Sequence, residues 1–307
     1  MKKVLVATDK PFAKVAVDGI RQVISAAGYE LLLLEKYTAK TDLLKAVSEA
    51  DAMIIRSDIA DKEVLEAGKS LKIVVRAGAG YDNIDLAAAT NNKIVAMNTP
   101  GQNSNAVAEL VFGMMIQMAR NNFNGSSGTE LRGKKIGIHA YGNVGRYVAK
   151  IASGFGMEVY AFDPYVKKEV IEADGVKVVT SVEELYTTCQ YVSLHIPATA
   201  QTKNSINFGL LSKMPKGATL INTARKEVIC EEDLLKMFVE RPDFRYVSDI
   251  EPACKSEIVE KFSGRFFFTP KKMGAQTDEA NVNAGLAAAH QIVNFFEKGD
   301  ITCKVNQ

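Results

Sequence analysis

The chain has 307 residues, 47% of them hydrophobic and 24% charged, which is enough apolar material for two separate cores. Lysine plus arginine (38) nearly balances aspartate plus glutamate (36), so no long-range field favours nucleic acid or an anionic membrane, and any anionic ligand must be held locally. The four cysteines, Cys189, Cys230, Cys254 and Cys303, form no CxxC pair and no metal-ligating spacing, a usage that fits a reducing cytoplasm and implies no bound metal.

The N-terminus, MKKVLVATDKPF, carries an apolar run of only about four residues, too short for a secretory signal and suited to a buried first strand. No later segment reaches the roughly 18 apolar residues of a membrane span, so a soluble, untagged chain is expected. Strands are expected at Val4 to Ala7, Leu31 to Leu34, Ala52 to Ile55, Ile73 to Val75 and Ile94 to Met97, with helix-like stretches between them. That alternation is the pattern of a parallel sheet wrapped by helices. After Asn98-Thr99-Pro100-Gly101 comes a long apolar helix, Ala106 to Ala119, read as a core helix that could also serve as the seam of a homodimer.

A polar connection, Asn121 to Gly128, leads to a second series of expected strands: Lys135 to His139, Glu158 to Phe162, Val176 to Val179, Tyr191 to His195, Ala218 to Asn222, Tyr246 to Ile250 and Phe266 to Thr269. A helix from Asp278 to Glu297 and a short strand from Ile301 to Val305 close the chain, with no regulatory module expected after them.

The strand Lys135 to His139 runs into Ala140-Tyr141-Gly142-Asn143-Val144-Gly145 and then into a helical pattern from Arg146 to Gly154, the strand, turn and helix context of a dinucleotide fingerprint. Gly142 lets backbone approach a pyrophosphate at the helix N-terminus, Gly145 permits close packing of helix on strand, and Asn143 and Val144 complete the turn. Ala140 stands where the fingerprint usually has its first glycine, a substitution expected to require a negative φ.

Asp163 ends the next strand, eighteen positions past Gly145 (163 − 145), where an acid binds the ribose hydroxyls; its charge would repel a 2′-phosphate, so NAD is the expected cofactor. His195 and Pro197, in Leu194-His195-Ile196-Pro197, stand at the carboxyl edge of a later strand and are read as cofactor contacts, whereas His139 and His290 are assigned to structure. Arg225, after Asn222-Thr223-Ala224, is placed to hold a substrate carboxylate with two parallel hydrogen bonds and to orient the carbon that gives up hydride.

Taken with Arg76-Ala77-Gly78-Ala79-Gly80-Tyr81-Asp82-Asn83-Ile84-Asp85 and Asn98-Thr99-Pro100-Gly101, the fingerprint and the Asn222 to Arg225 segment resemble the D-2-hydroxyacid dehydrogenase family over nearly the whole chain. IIRSD, RAGAGYDNID, NTPGQN and NTARKEV are most similar to its short D-3-phosphoglycerate dehydrogenases. The resemblance implies that Arg225 binds the carboxylate and that Ala79 and Gly80 offer it backbone N–H groups. It places Asp249 at the nicotinamide end of a cofactor set that includes Thr202, Thr223 and Ala224, and it sets Arg56 and Ser57, with Lys10, near a substrate phosphate.

The family's proton-transfer residue is a histidine after Thr-Pro, assisted by a glutamate before proline. This chain reads Thr269-Pro270-Lys271-Lys272-Met273-Gly274-Ala275-Gln276-Thr277, with Glu251 before Pro252. Counted from the proline, Lys271 replaces the histidine; counted back from Gly274, Lys272 does, and Lys272 is preferred because the glycine lies closer to the cofactor. A lysine base must shed its proton before it can accept one, so an alkaline optimum for hydroxyacid oxidation is expected.

The expected architecture is α/β, with two doubly wound parallel-sheet domains of Rossmann or flavodoxin type and a cleft between them. A substrate-binding domain, 1–97, is completed by 275–307, and an NAD-binding domain spans 98–274. The expected activity is NAD-dependent oxidation of 3-phospho-D-glycerate by a cytoplasmic homodimer. The alternatives are a reductase of glyoxylate, hydroxypyruvate or another 2-keto acid, and a non-catalytic NAD-sensing scaffold.

Overall fold

Short apolar runs of two to six residues, most of them rich in valine, isoleucine and leucine, make the strands, and the computed structural model, which describes residues 1–307, arranges them in two sheets. The chain divides into one unit of Met1–Asn103 with Gln276–Gln307 and a second of Ser104–Ala275.

In the first unit, β1 (Lys3–Thr8), β2 (Glu30–Glu35), β3 (Ala52–Ile55), β4 (Ile73–Arg76) and β5 (Val95–Asn98) lie parallel in the order 2-1-3-4-5. Alternation of side chains across a strand gives this sheet two apolar faces. Leu5, Ala7, Met53 and Ile55 pack on one side, while Val4, Val6, Ile54 and Val75 pack on the other. The second face is closed by helices Lys14–Ala26 and Asp278–Lys298, where Gly19 makes room for Leu286: a Cβ there would stand 2.7 Å from Leu286 Cδ2. This packing returns the end of the chain to the first unit.

In the second unit, β6 (Lys135–His139), β7 (Glu158–Phe162), β8 (Lys177–Val178), β9 (Tyr191–Leu194), β10 (Thr219–Asn222), β11 (Arg245–Ser248) and β12 (Phe266–Phe268) form a parallel sheet in the order 12-11-10-9-6-7-8. The order reverses between β6 and β9, so a crevice opens at their carboxyl ends, the usual ligand position in such sheets. Helices Ser104–Ala119 and Asn143–Gly154 cover one face over Ile136, Ile138 and Val247, and Leu185, Leu194, Leu220 and Phe238 fill the other.

Three expectations are corrected. Ile301 to Val305 is no strand: Lys304 makes a single antiparallel bridge to Met97, Val305 N–H donates to Ala96 O at 2.8 Å, and Ile301 stays 49% exposed. The strand placed at Val176 to Val179 shrinks to Lys177–Val178, because only these two pair in register with β7 at the sheet edge, Val179 adding a single N–H bond to Ala161 O at 3.0 Å. The fingerprint helix starts at Asn143 rather than Arg146, because Gly142 already adopts the extended capping conformation. No helix is long and apolar enough to cross a membrane.

Candidate active site

The fingerprint turn leaves β6 through Ala140, whose φ of 82° overturns the expected negative value. The reason lies at Gly145, where a Cβ would stand 2.4 Å from the Ala140 carbonyl oxygen. The turn holds that carbonyl against the helix, and the residue at 140 must go left-handed whatever its side chain. Gly142 caps the helix Asn143–Gly154 with no side-chain acceptor of its own and has nothing within 4 Å of a would-be Cβ, so its face is open to an incoming group. The first N–H groups of that helix are the donors an anion would meet.

Beyond the turn lies a cavity of about 1000 Å³ lined by Gly142, Asp163, Pro164, His195, Pro197 and Thr202, among others. Asp163 Oδ2 accepts the Tyr141 N–H at 2.7 Å, and Oδ1 accepts those of Tyr165 (2.8 Å) and Val166 (3.1 Å). The carboxylate thereby ties the loop after β7 to the fingerprint while facing the cavity. Thr202 fastens its own loop in a similar way: its hydroxyl donates to Pro197 O and accepts the Thr199 N–H at 2.8 Å.

His195 Nε2 lies 3.0 Å from Ser193 Oγ, and His139, assigned above to structure alone, lines the same cavity with its Nδ1 3.4 Å from Tyr186 Oη. Burial pushes the His195 imidazole down to about 3, with His139 as a second, smaller cause, and pushes His139 down to about 4 against the pull of Asp163. Both rings are therefore neutral at physiological pH.

On the same sheet edge, buried Asn222 shapes the loop that follows β10. Its Oδ1 accepts the Ala224 N–H at 2.9 Å and its Nδ2 donates to Arg225 O at 3.0 Å. The Ala224 carbonyl is thus turned towards two cations, Arg225 Nη1 at 3.0 Å and Lys272 Nζ at 3.1 Å.

The segment bearing Lys272 is pinned on both sides. Thr269 Oγ1 donates to Lys271 O at 2.7 Å, and Gly274 N–H donates to Asp249 Oδ2 at 2.9 Å. Asp249 is fully buried, which raises its pKa; the Gly274 N–H, Lys272 and Arg225 pull the other way. Its Oδ1 and the hydroxyl of buried Thr223 have no hydrogen-bond partner within the chain. Glu251 forms an ion pair with Lys255 one turn on.

The first unit gathers its own cations. Arg56, just past β3, donates Nη1 to the carbonyls of Lys10 and Pro11 (both 3.2 Å), donates Nη2 to Asn281 Oδ1 at 2.6 Å, and stacks on Phe12 at 5.1 Å. Arg76, at the end of β4, donates Nε to Arg56 O at 3.1 Å, and its guanidinium lies over Gly78, where a Cβ would stand 1.5 Å from Nη1. Burial, then the nearness of Arg56, lowers the pKa of Arg76. Ser57 and Lys10 are exposed. The Ala79 and Gly80 N–H groups make no hydrogen bond within the chain, and Ala79 O accepts from Asn98 Nδ2 at 2.7 Å.

Residues 105–261 match the model of the D-isomer-specific 2-hydroxyacid dehydrogenase NAD-binding domain. The chain belongs to the D-2-hydroxyacid dehydrogenase family. It is 34% identical to the hydroxypyruvate reductase of Thermotoga maritima, covering 88% of this chain and 92% of that one. It is equally identical to the D-3-phosphoglycerate dehydrogenase of Methanocaldococcus jannaschii, over 82% of this chain and 51% of that protein. The chain therefore spans about half the length of that archaeal relative.

Among solved structures, it superposes on the NAD⁺-bound 3-phosphoglycerate dehydrogenase of Entamoeba histolytica with a TM-score of 0.86 and 47% identity, covering 100% and 99% of the two chains. The open face at Gly142 and the cavity beyond it fit NAD.

Sequence reasoning does not single out Asn222, Asn281 or Arg76 as site residues. Asn222 and Arg76 stand inside motifs quoted for other residues, so a signal is there. Asn281 carries none, because its tie to Arg56 spans 225 positions.

Proposed function

We propose that this D-2-hydroxyacid dehydrogenase oxidises 3-phospho-D-glycerate to 3-phosphohydroxypyruvate, the entry to serine synthesis, as a cytoplasmic homodimer. The observation that carries the phosphorylated substrate is the Arg56 and Arg76 pair. Two partly buried guanidinium groups, one of which depresses the pKa of the other, are relieved by a dianion that neither an unphosphorylated glycerate nor glyoxylate supplies.

In this reading Arg225 grips the carboxylate, Ala79 and Gly80 offer it N–H groups, and Ser57 and Lys10 assist at the phosphate. Lys272 removes the hydroxyl proton, held towards the reacting carbon by its bond to Ala224 O. NAD supplies the hydride-accepting carbon; Gly142, Asn143, Val144, Asp163, His195, Pro197 and Thr202 hold its nucleotide portion, and Thr223, Ala224 and Asp249 its nicotinamide end. Glu251, ion-paired with Lys255, is in this reading the glutamate before proline that assists the proton transfer.

The test is kcat/KM for 3-phospho-D-glycerate and for D-glycerate in the parent and in Arg56→Ala. Removing a charge-assisted hydrogen bond to phosphate should cost about 10- to 100-fold on the phosphorylated substrate alone. An equal loss on both, or a parent that prefers hydroxypyruvate reduction without a phosphate requirement, would assign the chain to the hydroxypyruvate reductases instead.

A further inference from the structure

The amino edge of the seven-stranded sheet, where no residue of the cofactor site stands, holds a second concavity of about 370 Å³. Its wall is built by residues that lead into or open the strands: Lys134 before β6, Gln190 before β9, Lys216 before β10, Arg245 at the start of β11 and Arg265 before β12. Four of these five are cations. The whole chain has a formal net charge of only +2, so this is a local concentration and not a share of a general excess.

The one carboxylate on the wall does not neutralise them. Asp243 is gripped by Arg241 through Nε to Oδ1 at 3.0 Å and Nη2 to Oδ2 at 2.8 Å, and its Oδ2 also accepts the Gly217 N–H at 2.6 Å. It brings its own cation with it.

The two arginines of the wall are held rigidly. Arg245 donates Nη1 to Met118 O at 2.9 Å; Arg265 donates to Arg241 O (2.9 Å) and Phe238 O (2.8 Å) and stacks on Phe262 at 4.8 Å. A guanidinium carries five N–H donors, so each retains donors for a ligand. The ammonium groups of Lys134 and Lys216 make no ion pair or hydrogen bond within the chain, and the side chains of Gln190 and Ser263 add neutral donors to the same wall.

We propose that this amino-edge cavity binds a small phosphorylated metabolite or free phosphate, at a site separate from those for substrate and cofactor. Its volume is at the low end of the ~300–1,000 Å³ common for small-molecule sites, which suits a phosphate group with a few carbons and is too small for a dinucleotide. Fixed arginines supply directed donors, while the lysines supply mobile charge that closes over the anion. Because β10 and β11 are four residues each, an anion bound at their amino ends steadies the strands whose other ends present Arg225 and Asp249.

The experiment is thermal unfolding of the full chain in inorganic phosphate against sodium chloride at matched ionic strength, in the parent, Arg56→Ala, Lys134→Ala/Lys216→Ala and Lys134→Arg/Lys216→Arg proteins. NAD binding serves as the check that each variant is folded. Phosphate should raise Tm by a few degrees in the parent, in Arg56→Ala and in the arginine pair. The alanine pair should bind about tenfold more weakly; were it not to fold, the single exposed-site variant Lys216→Gln should read a smaller loss of the same kind.

An undiminished rise in the alanine pair would overturn the proposal. So would its disappearance in Arg56→Ala, which would place the anion in the substrate site, or an equal rise in matched chloride, which would mean charge screening only. A parallel titration with glycerol 3-phosphate in the Arg56→Ala protein assigns the source: tighter binding than phosphate supports the ester, weaker binding supports free phosphate.

Discussion

Arg225 and Lys272 donate to one carbonyl oxygen, that of Ala224, at 3.0 and 3.1 Å. Forty-seven positions apart in the chain (272 − 225), they are brought together by three devices: the Asn222 side chain that turns the carbonyl, the Thr269 hydroxyl that fixes the turn before Lys272, and the Gly274 N–H on the Asp249 carboxyl, which interacts with both cations. Two like charges so close favour an anion between them. The carboxylate of a 2-hydroxy acid meets that need, and its adjacent hydroxyl would then face the lysine.

The left-handed Ala140 gives a stability prediction. An alanine at φ 82° carries a Cβ that crowds its own backbone, at a cost of about 1–2 kcal/mol, part of which the extra freedom of unfolded glycine offsets. Ala140→Gly should therefore stabilise the chain by about 0.5–1 kcal/mol in urea unfolding. Gly145→Ala, whose Cβ would sit 2.4 Å from the Ala140 oxygen, should destabilise it and weaken NAD binding. An Ala140→Gly protein less stable than the parent would contradict backbone strain at this position.

The two cavity histidines set a pH dependence. Burial lowers the pKa of His195 to about 3 and of His139 to about 4, against an ordinary value of 6.5 that the unfolded chain retains. As pH falls below about 6.5 the unfolded state takes up protons that the folded state refuses, so each histidine removes up to about 1.4 kcal/mol of stability per pH unit. That loss is present from about pH 6.5 down to the folded pKa values and levels off below them. Urea midpoints measured between pH 7.5 and 5 should fall less steeply in His195→Asn than in the parent, whereas identical slopes would show that this ring is not held neutral by the fold.

Asp163 should matter twice over. Its oxygens fasten three N–H groups, so Asp163→Ala should loosen the fingerprint as well as remove the charge that repels a 2′-phosphate. In fluorescence titrations NAD affinity should drop about tenfold or more, as expected when a charge-assisted hydrogen bond is removed, while NADP affinity falls less. An unchanged NAD-to-NADP ratio would mean that discrimination lies elsewhere.

The strand pattern is legible because most strands are short apolar runs, with β3, β9 and β10 in the sheet interiors buried along their whole length, as a parallel sheet covered on both faces demands. Ile301 to Val305 misleads for the same reason in reverse. Apolar residues at 301 and 305 suggest a strand, yet at the edge of β5 one bridge at Lys304 is all the pairing made, and Ile301 faces solvent.

In the site, residues inside compact motifs are legible, among them Gly142, Asp163 and Arg225. The backbone conformation of Ala140 is not, because it goes with the close approach of its carbonyl to a glycine five positions on. Periodicity places His139 within a strand and so suggests a purely structural ring; its position as the last residue of β6 is what brings that ring to the cavity.

The central claim, that Lys272 is the proton acceptor in a phosphoglycerate dehydrogenase, is tested most directly by single-turnover NADH formation from 3-phospho-D-glycerate at alkaline pH. Lys272→Ala should slow it by about 10²- to 10⁴-fold, with Lys271→Ala close to the parent. Equal rates for parent and Lys272→Ala, or a parent that forms no NADH from this substrate, would contradict it.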